Sequence, residues 1–449
     1  MVAVGVWALR RSPAPDPDPA PAATRAAPSP DPPPGQPARP RPADRRLPGP
    51  AHPPPARPAD PLIIPDDGAR ADQATANRLA AGLRSRRPIT ADDVRAAEDL
   101  FLRHGSPAAS LLEAVLLKAA EQERAARRYR EAAVFLRSAA AAAPGSARPH
   151  TALAAVLIDS GDWPAAETSA RAALSLAPAD LEATYALAYA LHRQDRTREA
   201  VETLESLLDD REDPRSRALL ERIQADVAPE SGLAERRLAH FHVRYDGEAH
   251  ADLEPEVRRV LERHYATLVR MFDHRPVSPI PVILLSRESY YTETGAPAWS
   301  GGRYDAFDGR VRLPIGGLTA ALPPEVDSTL LHELTHAFVT DRSRGVAPRE
   351  IQEGLAQFVE GQRVERLLTP EQLAALAEGR IGGVPGFYLK SLSFVEHLSA
   401  LRGQGGINDL LQAMAETGNA NQAFERVYGQ DATSLQRDWE TRLRNRYGR

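Results

Sequence analysis

Across residues 71–227, alanine and large apolar residues recur at three- and four-residue intervals, with breaks near Gly105, Pro144, Gly161, Pro178 and Pro214. This spacing keeps the apolar side chains on one face of each segment and predicts a succession of helices. Thr90 followed by Asp93 is a helix-start pattern, and Val94, Ala97, Leu100 and Phe101 form one face of the helix it opens. Beyond about Ala234 the pattern changes to short apolar runs bounded by turns. It predicts a strand at 240–245, a helix at 253–272 and a strand at 281–285, then a turn at Gly301-Gly302, a strand at 309–315 and helices to the end. The fold class is α+β, with a helical part at 69–229 and an α+β part at 230–449.

Composition adds a third region. Of the 40 prolines, 21 fall between Pro13 and Pro65, among Ala, Asp and Arg and almost no large apolar residues. Such a segment buries no core, so residues 1–68 are expected to be a disordered, extended tether. The chain has 449 residues and a formal charge of only −5, with no long run of one sign. That balance gives no reason to expect nucleic acid or an anionic membrane as partner. Cysteine is absent, which excludes disulfides, thiolate metal sites and a cysteine nucleophile and leaves any metal to His, Asp and Glu. No stretch of eighteen apolar residues occurs, so no spanning helix is expected in the chain. Residues 1–9 are mostly apolar and precede Arg10 and Arg11, like the tail of an export signal or anchor. Export or attachment to the cell envelope is the expectation this carries, with the cytoplasm as the alternative.

Sliding the helical part against itself by 34 residues aligns Ala132, Ala166 and Ala200, then Leu136, Ala170 and Leu204, and also Ala120, Ala154 and Ala188. Pro144 and Pro178 fall in register and close two successive units. These residues resemble the tetratricopeptide repeat, in which small residues let paired helices approach and a proline ends the second helix. Three repeats are expected, capped upstream by one further helical hairpin. The resemblance implies a protein partner bound by the helical array.

The segment His332-Glu333-Leu334-Thr335-His336 lies in a stretch, 325–340, where Val326, Leu330, Leu334, Ala337 and Phe338 recur at helical spacing. Two histidines four apart on a helix project from one face about a turn apart, within reach of a single ion. Three protein ligands leave a zinc ion one open position, as catalysts need, whereas four would close it. A second helix-like segment, Glu350-Ile-Gln-Glu353-Gly-Leu-Ala356, follows a turn at 345–348 and places Glu353 seventeen residues beyond His336.

This pair of motifs resembles the gluzincin zinc metallopeptidases of the peptidase MA-like group, and most closely the bacterial families whose catalytic domain follows tetratricopeptide repeats. The likeness covers about 241–443. It implies a thermolysin-like domain holding Zn2+ through His332, His336 and Glu353, with Glu333 as the base that activates water. Glu350 and Gln352 stand where tryptophan and asparagine are common, substitutions that by this reading touch no ligand. Gln357 and Glu360 are the expected acceptors for the histidines' second nitrogens. The segment that grips a free amine in related aminopeptidases is missing upstream of His332, which favours an endopeptidase acting on a protein or peptide substrate. Residues 309–315 lie where these enzymes place a substrate-pairing sheet edge. Tyr388 is the expected donor to the oxyanion, and His397 is the alternative. The competing reading is a non-catalytic tetratricopeptide adaptor with an inactive peptidase-like domain. His240 and His242 lack a third partner in the sequence and are not assigned to the metal.

Overall fold

The computed structural model describes residues 69–85, 87–245, 254–294, 300–315 and 322–448; the proline-rich segment expected to be a tether lies outside them. The chain is mostly helical, with one small mixed sheet.

Among the described residues, nine helices run from Ala69 to Val227: α1 (Ala69–Arg84), α2 (Ala91–His104), α3 (Ser106–Ala125), α4 (Tyr129–Ala142), α5 (Arg148–Asp159), α6 (Trp163–Leu176), α7 (Leu181–Arg193), α8 (Thr197–Asp210) and α9 (Pro214–Val227). Their starts are chemically marked. Thr90 and Asp93 form a reciprocal capping box, and Asp162, Asp180 and Asp213 each accept from a first-turn amide of α6, α7 and α9. Helices α3 to α8 make three hairpins. The aligned alanines 120, 132, 154, 166, 188 and 200 are all buried, because a methyl group is what allows neighbouring helices to close on one another.

The remaining part surrounds a five-stranded sheet of β1 (Ala234–Arg237), β2 (Phe241–Tyr245), β3 (Ile280–Leu285), β4 (Arg303–Asp305) and β5 (Arg310–Pro314), in the order β1-β2-β3-β5-β4. β2, β3 and β5 are parallel; β1 and β4 pair antiparallel at the two ends. The helices of this part are α10 (Glu254–Phe272), α11 (Arg287–Thr294), α12 (Pro324–Ser343), α13 (Arg349–Val359), α14 (Val364–Leu367), α15 (Pro370–Ala377), α16 (Gly383–Thr417, broken at Gly403), α17 (Ala420–Tyr428) and α18 (Ala432–Tyr447). Among the described residues, no helix is long and apolar enough to cross a membrane.

The sheet corrects one expectation. Residues 309–315 are not an edge: β5 sits between β3 and β4 and is buried along its whole length. The edge on that side of the sheet is β4, three residues long and half buried.

The helical part and the α+β part have separate apolar cores, but a seam of charge joins them. Asp195, in the turn between α7 and α8, binds Arg310 at 2.8 Å, Arg244 at 2.7 Å and His242 at 2.9 Å. Glu230 reaches Arg310 at 3.1 Å and Arg312 at 3.3 Å. Burial alone would raise the Asp195 carboxyl; the His242 and Arg244 hydrogen bonds and the Arg310 charge outweigh it and bring it down to about 2.

Candidate metal centre

α12 carries His332, Glu333 and His336, all buried. Their spacing puts the two imidazoles edge to face on one side of the helix, with ring centroids 4.9 Å apart. A left-handed cap at Arg344 ends α12, and the chain turns back into α13, which presents Glu353 to the same point. Glu353 Oε2 lies 3.7 Å from His332 Nε2 and 3.6 Å from His336 Nε2. The next residue must be glycine. A Cβ on Gly354 would sit 2.3 Å from the Ser391 carbonyl oxygen of α16, so the Glu-Gly pair is where α13 approaches α16 most closely.

One potential ligand atom from each of these residues lies within 4.8 Å of the others, a spacing suited to one ion between them. His332 Nε2, Glu353 Oε2 and Glu333 Oε1 are buried without a hydrogen-bond partner, and the histidine-to-carboxylate distances are too long for one. Burial would push the His332 imidazole down, but the Glu360 and Glu353 carboxylates prevail and raise it to about 10. Against burial, the same two histidines hold the Glu353 carboxyl well below its ordinary range. The cluster thus favours positive charge at its centre.

The residues behind the ligands are partly those expected. Glu360 Oε2 lies 3.4 Å from His332 Nδ1, so this carboxylate orients that ring. Gln357 touches neither histidine; it donates to the Glu353 and Tyr388 carbonyls and ties α13 to α16. The acceptor on His336 is Gln352, whose Oε1 is 3.3 Å from Nδ1 and whose amide nitrogen donates to Thr340. Contrary to expectation, position 352 therefore touches His336, while Glu350 is exposed. Arg349 adds a guanidinium on the outer side of Glu353, 3.7 Å from Oε1.

Glu333 is held by the sheet. The Tyr304 N–H of edge strand β4 donates to its Oε2 at 2.7 Å, and its Oε1 is buried without a hydrogen-bond partner. Gly302 makes this contact possible: a Cβ there would meet Thr329 at 2.8 Å and the Glu333 side chain at 3.1 Å.

Tyr388 and His397, the two expected oxyanion donors, separate clearly. They are nine residues apart on α16, which puts them on opposite faces of the helix. Tyr388 is buried, and its hydroxyl feels the charges of Glu353, Arg349 and Glu333. Burial, followed by the Glu353 charge, pushes the hydroxyl far up, so it stays protonated. His397 instead faces Arg442 and Asp438 of α18. His240 pairs with Glu262 at 2.9 Å and stacks on Tyr265, and His242 belongs to the Asp195 cluster.

Residues 123–169 and 158–223 match the tetratricopeptide repeat family. Together these stretches run from the end of α3 into α9, so the helical array is a tetratricopeptide-type solenoid, an architecture associated with binding protein partners. No curated protein matches the chain.

Proposed function

We propose that this protein is a zinc-dependent peptidase of the gluzincin type, an endopeptidase whose repeats bind a substrate or partner protein. The observation that carries the reading is the buried meeting of His332 Nε2, His336 Nε2 and Glu353 Oε2, with Glu333 next to His332 in the chain and its Oε1 buried without a partner. Two imidazoles and one carboxylate are a donor set for zinc with an open position, and a zinc ion there would polarise a peptide carbonyl and acidify water.

The remaining work falls to the chain's own side chains. Glu333 takes a proton from the attacking water on Oε1 and returns it to the leaving amine, while the Tyr304 N–H keeps the carboxylate in place. Tyr388, protonated, donates to the oxygen on which negative charge develops. The outer edge of β4 offers backbone groups to an extended peptide, a mode that selects for unfolded chain more than for particular side chains.

The reading is tested by metal analysis of the purified chain together with a cleavage assay on an unfolded, casein-like protein. About one zinc per chain is expected, with cleavage abolished and zinc retained in Glu333→Gln. Loss of zinc in that variant, or undiminished cleavage, defeats the assignment. A chain without zinc or cleavage that still binds protein through its repeats is the adaptor of the competing reading.

A further inference from the structure

The turn between β4 and β5 leaves the sheet and enters the repeats. Phe307 packs against the apolar core of the solenoid, with ring centroids 5.7 Å from both Tyr189 and His192 of α7 and the Arg222 guanidinium of α9 at 4.9 Å. Its carbonyl accepts from Arg193 Nη1 at 3.0 Å. Three residues on, Arg310 donates at 2.8 Å to both Asp195 in the α7–α8 turn and Thr197 at the start of α8. At the other end of the same hairpin, the Tyr304 N–H holds Glu333. β4 is only three residues long and pairs with no strand but β5, and so short a ribbon has little stability of its own. There is also room for it to move: a cavity of about 160 Å³ lies in the seam between Trp163, Arg193, Tyr304 and Thr340.

We propose that the repeats are a working part of the metal centre: they clamp the β4–β5 hairpin through Phe307 and Arg310, and so position both the peptide-pairing edge and the Tyr304 N–H that holds Glu333. This rests on the peptidase reading for its consequence, because a peptide or partner that shifts α7 then alters cleavage without touching the metal. Phe307 and Arg193 are positioning residues in this arrangement. The clamp itself is tested by amide hydrogen exchange on the full chain, which requires neither metal nor turnover and so stands or falls separately from the peptidase reading. Phe307→Ala is expected to speed exchange at 303–305 by about tenfold or more, while the amides of 332–338 in α12 keep their protection. Phe307→Leu restores part of the protection. Arg193→Gln, which removes the donor to the Ala306 and Phe307 carbonyls together with a cation–π contact on Trp163 inside the repeats and decides alone if the alanine variant does not fold, gives the same local pattern to a smaller degree. Unchanged exchange at 303–305 in folded Phe307→Ala and Arg193→Gln overturns the clamp. So does loss of protection spread equally over α12, which would mark Phe307 as an ordinary packing residue.

Discussion

Asp195 and Arg310 are 115 positions apart in the chain and meet at 2.8 Å with both side chains almost completely buried. A buried pair of this kind adds little over an apolar replacement of both members, yet removing one strands the other in low dielectric. Asp195→Asn keeps the shape and tolerates the left-handed turn, where φ is +62°, but deprives Arg310, Arg244 and His242 of their shared anion. It should destabilise the chain by about 3 kcal/mol or more, read from urea unfolding. Adding Arg310→Met to that variant should recover part of the loss. A double variant no more stable than the single one argues against pairing as the source of the effect.

His192 gives the seam a pH dependence. Burial, and then the Arg310 charge, push its imidazole down to about 3 from an ordinary 6.5, and its Nε2 is buried without a partner. Between these values the unfolded chain binds a proton that the folded chain does not, so stability falls as pH falls through about 6.5 towards 3. His192→Gln should be flatter over that window, narrowing its stability difference from the native chain by roughly 2 to 3 kcal/mol between pH 7 and pH 4. Parallel unfolding curves for the two proteins across that range would show that His192 does not carry the dependence.

The helices and the clustering of His332, His336 and Glu353 are legible in the sequence because they obey local rules: a 34-residue recurrence of small residues, two histidines at i and i+4, and a carboxylate at the start of the next helix. β1 and β4 are not legible. Ala-Glu-Arg-Arg and Arg-Tyr-Asp lack apolar alternation because edge strands have one open side, and their register is imposed by β2 and β5. Missing β4 is what makes residues 309–315 look like the edge. The role of Gln352 is hidden for a different reason. A glutamine at a helix start is commonplace, and only the crossing of α12 and α13 brings it to His336. The seam is the least legible feature, since it joins Asp195 to charged or polar residues 47 to 115 positions further along that each resemble solvated surface.

Gln352 and Glu360 support different imidazoles, so their loss should weaken the same metal site independently. Gln352→Ala frees His336 Nδ1, and Glu360→Gln leaves His332 with a neutral acceptor. Each is expected to lower zinc affinity about 10- to 100-fold, measured by competition with a chelator, whereas Glu350→Ala on the exposed side of α13 should leave it unchanged. Equal affinity in native protein and Gln352→Ala would mean that the Gln352 contact does not orient the ring.

Substitution distinguishes Tyr388 from His397 on α16. Tyr388 lies on the face turned toward Glu353 and Glu333, and its hydroxyl remains protonated through the neutral range, which is the state a donor to a developing oxyanion must have. Tyr388→Phe keeps the ring that packs in the core and removes only the hydroxyl oxygen and its proton. Zinc content and thermal stability should therefore stay near those of the native protein, while turnover falls by about two to three powers of ten with little change in KM. His397 lies on the opposite face beside Arg442 and Asp438, so His397→Gln should turn over normally and express any effect as altered stability of the α16–α18 packing. A His397 variant with selectively reduced turnover would contradict the placement of these residues on α16. A Tyr388→Phe protein with native turnover would leave Tyr388 a packing residue, and the nearest remaining donor beside Glu353 would then be Arg349.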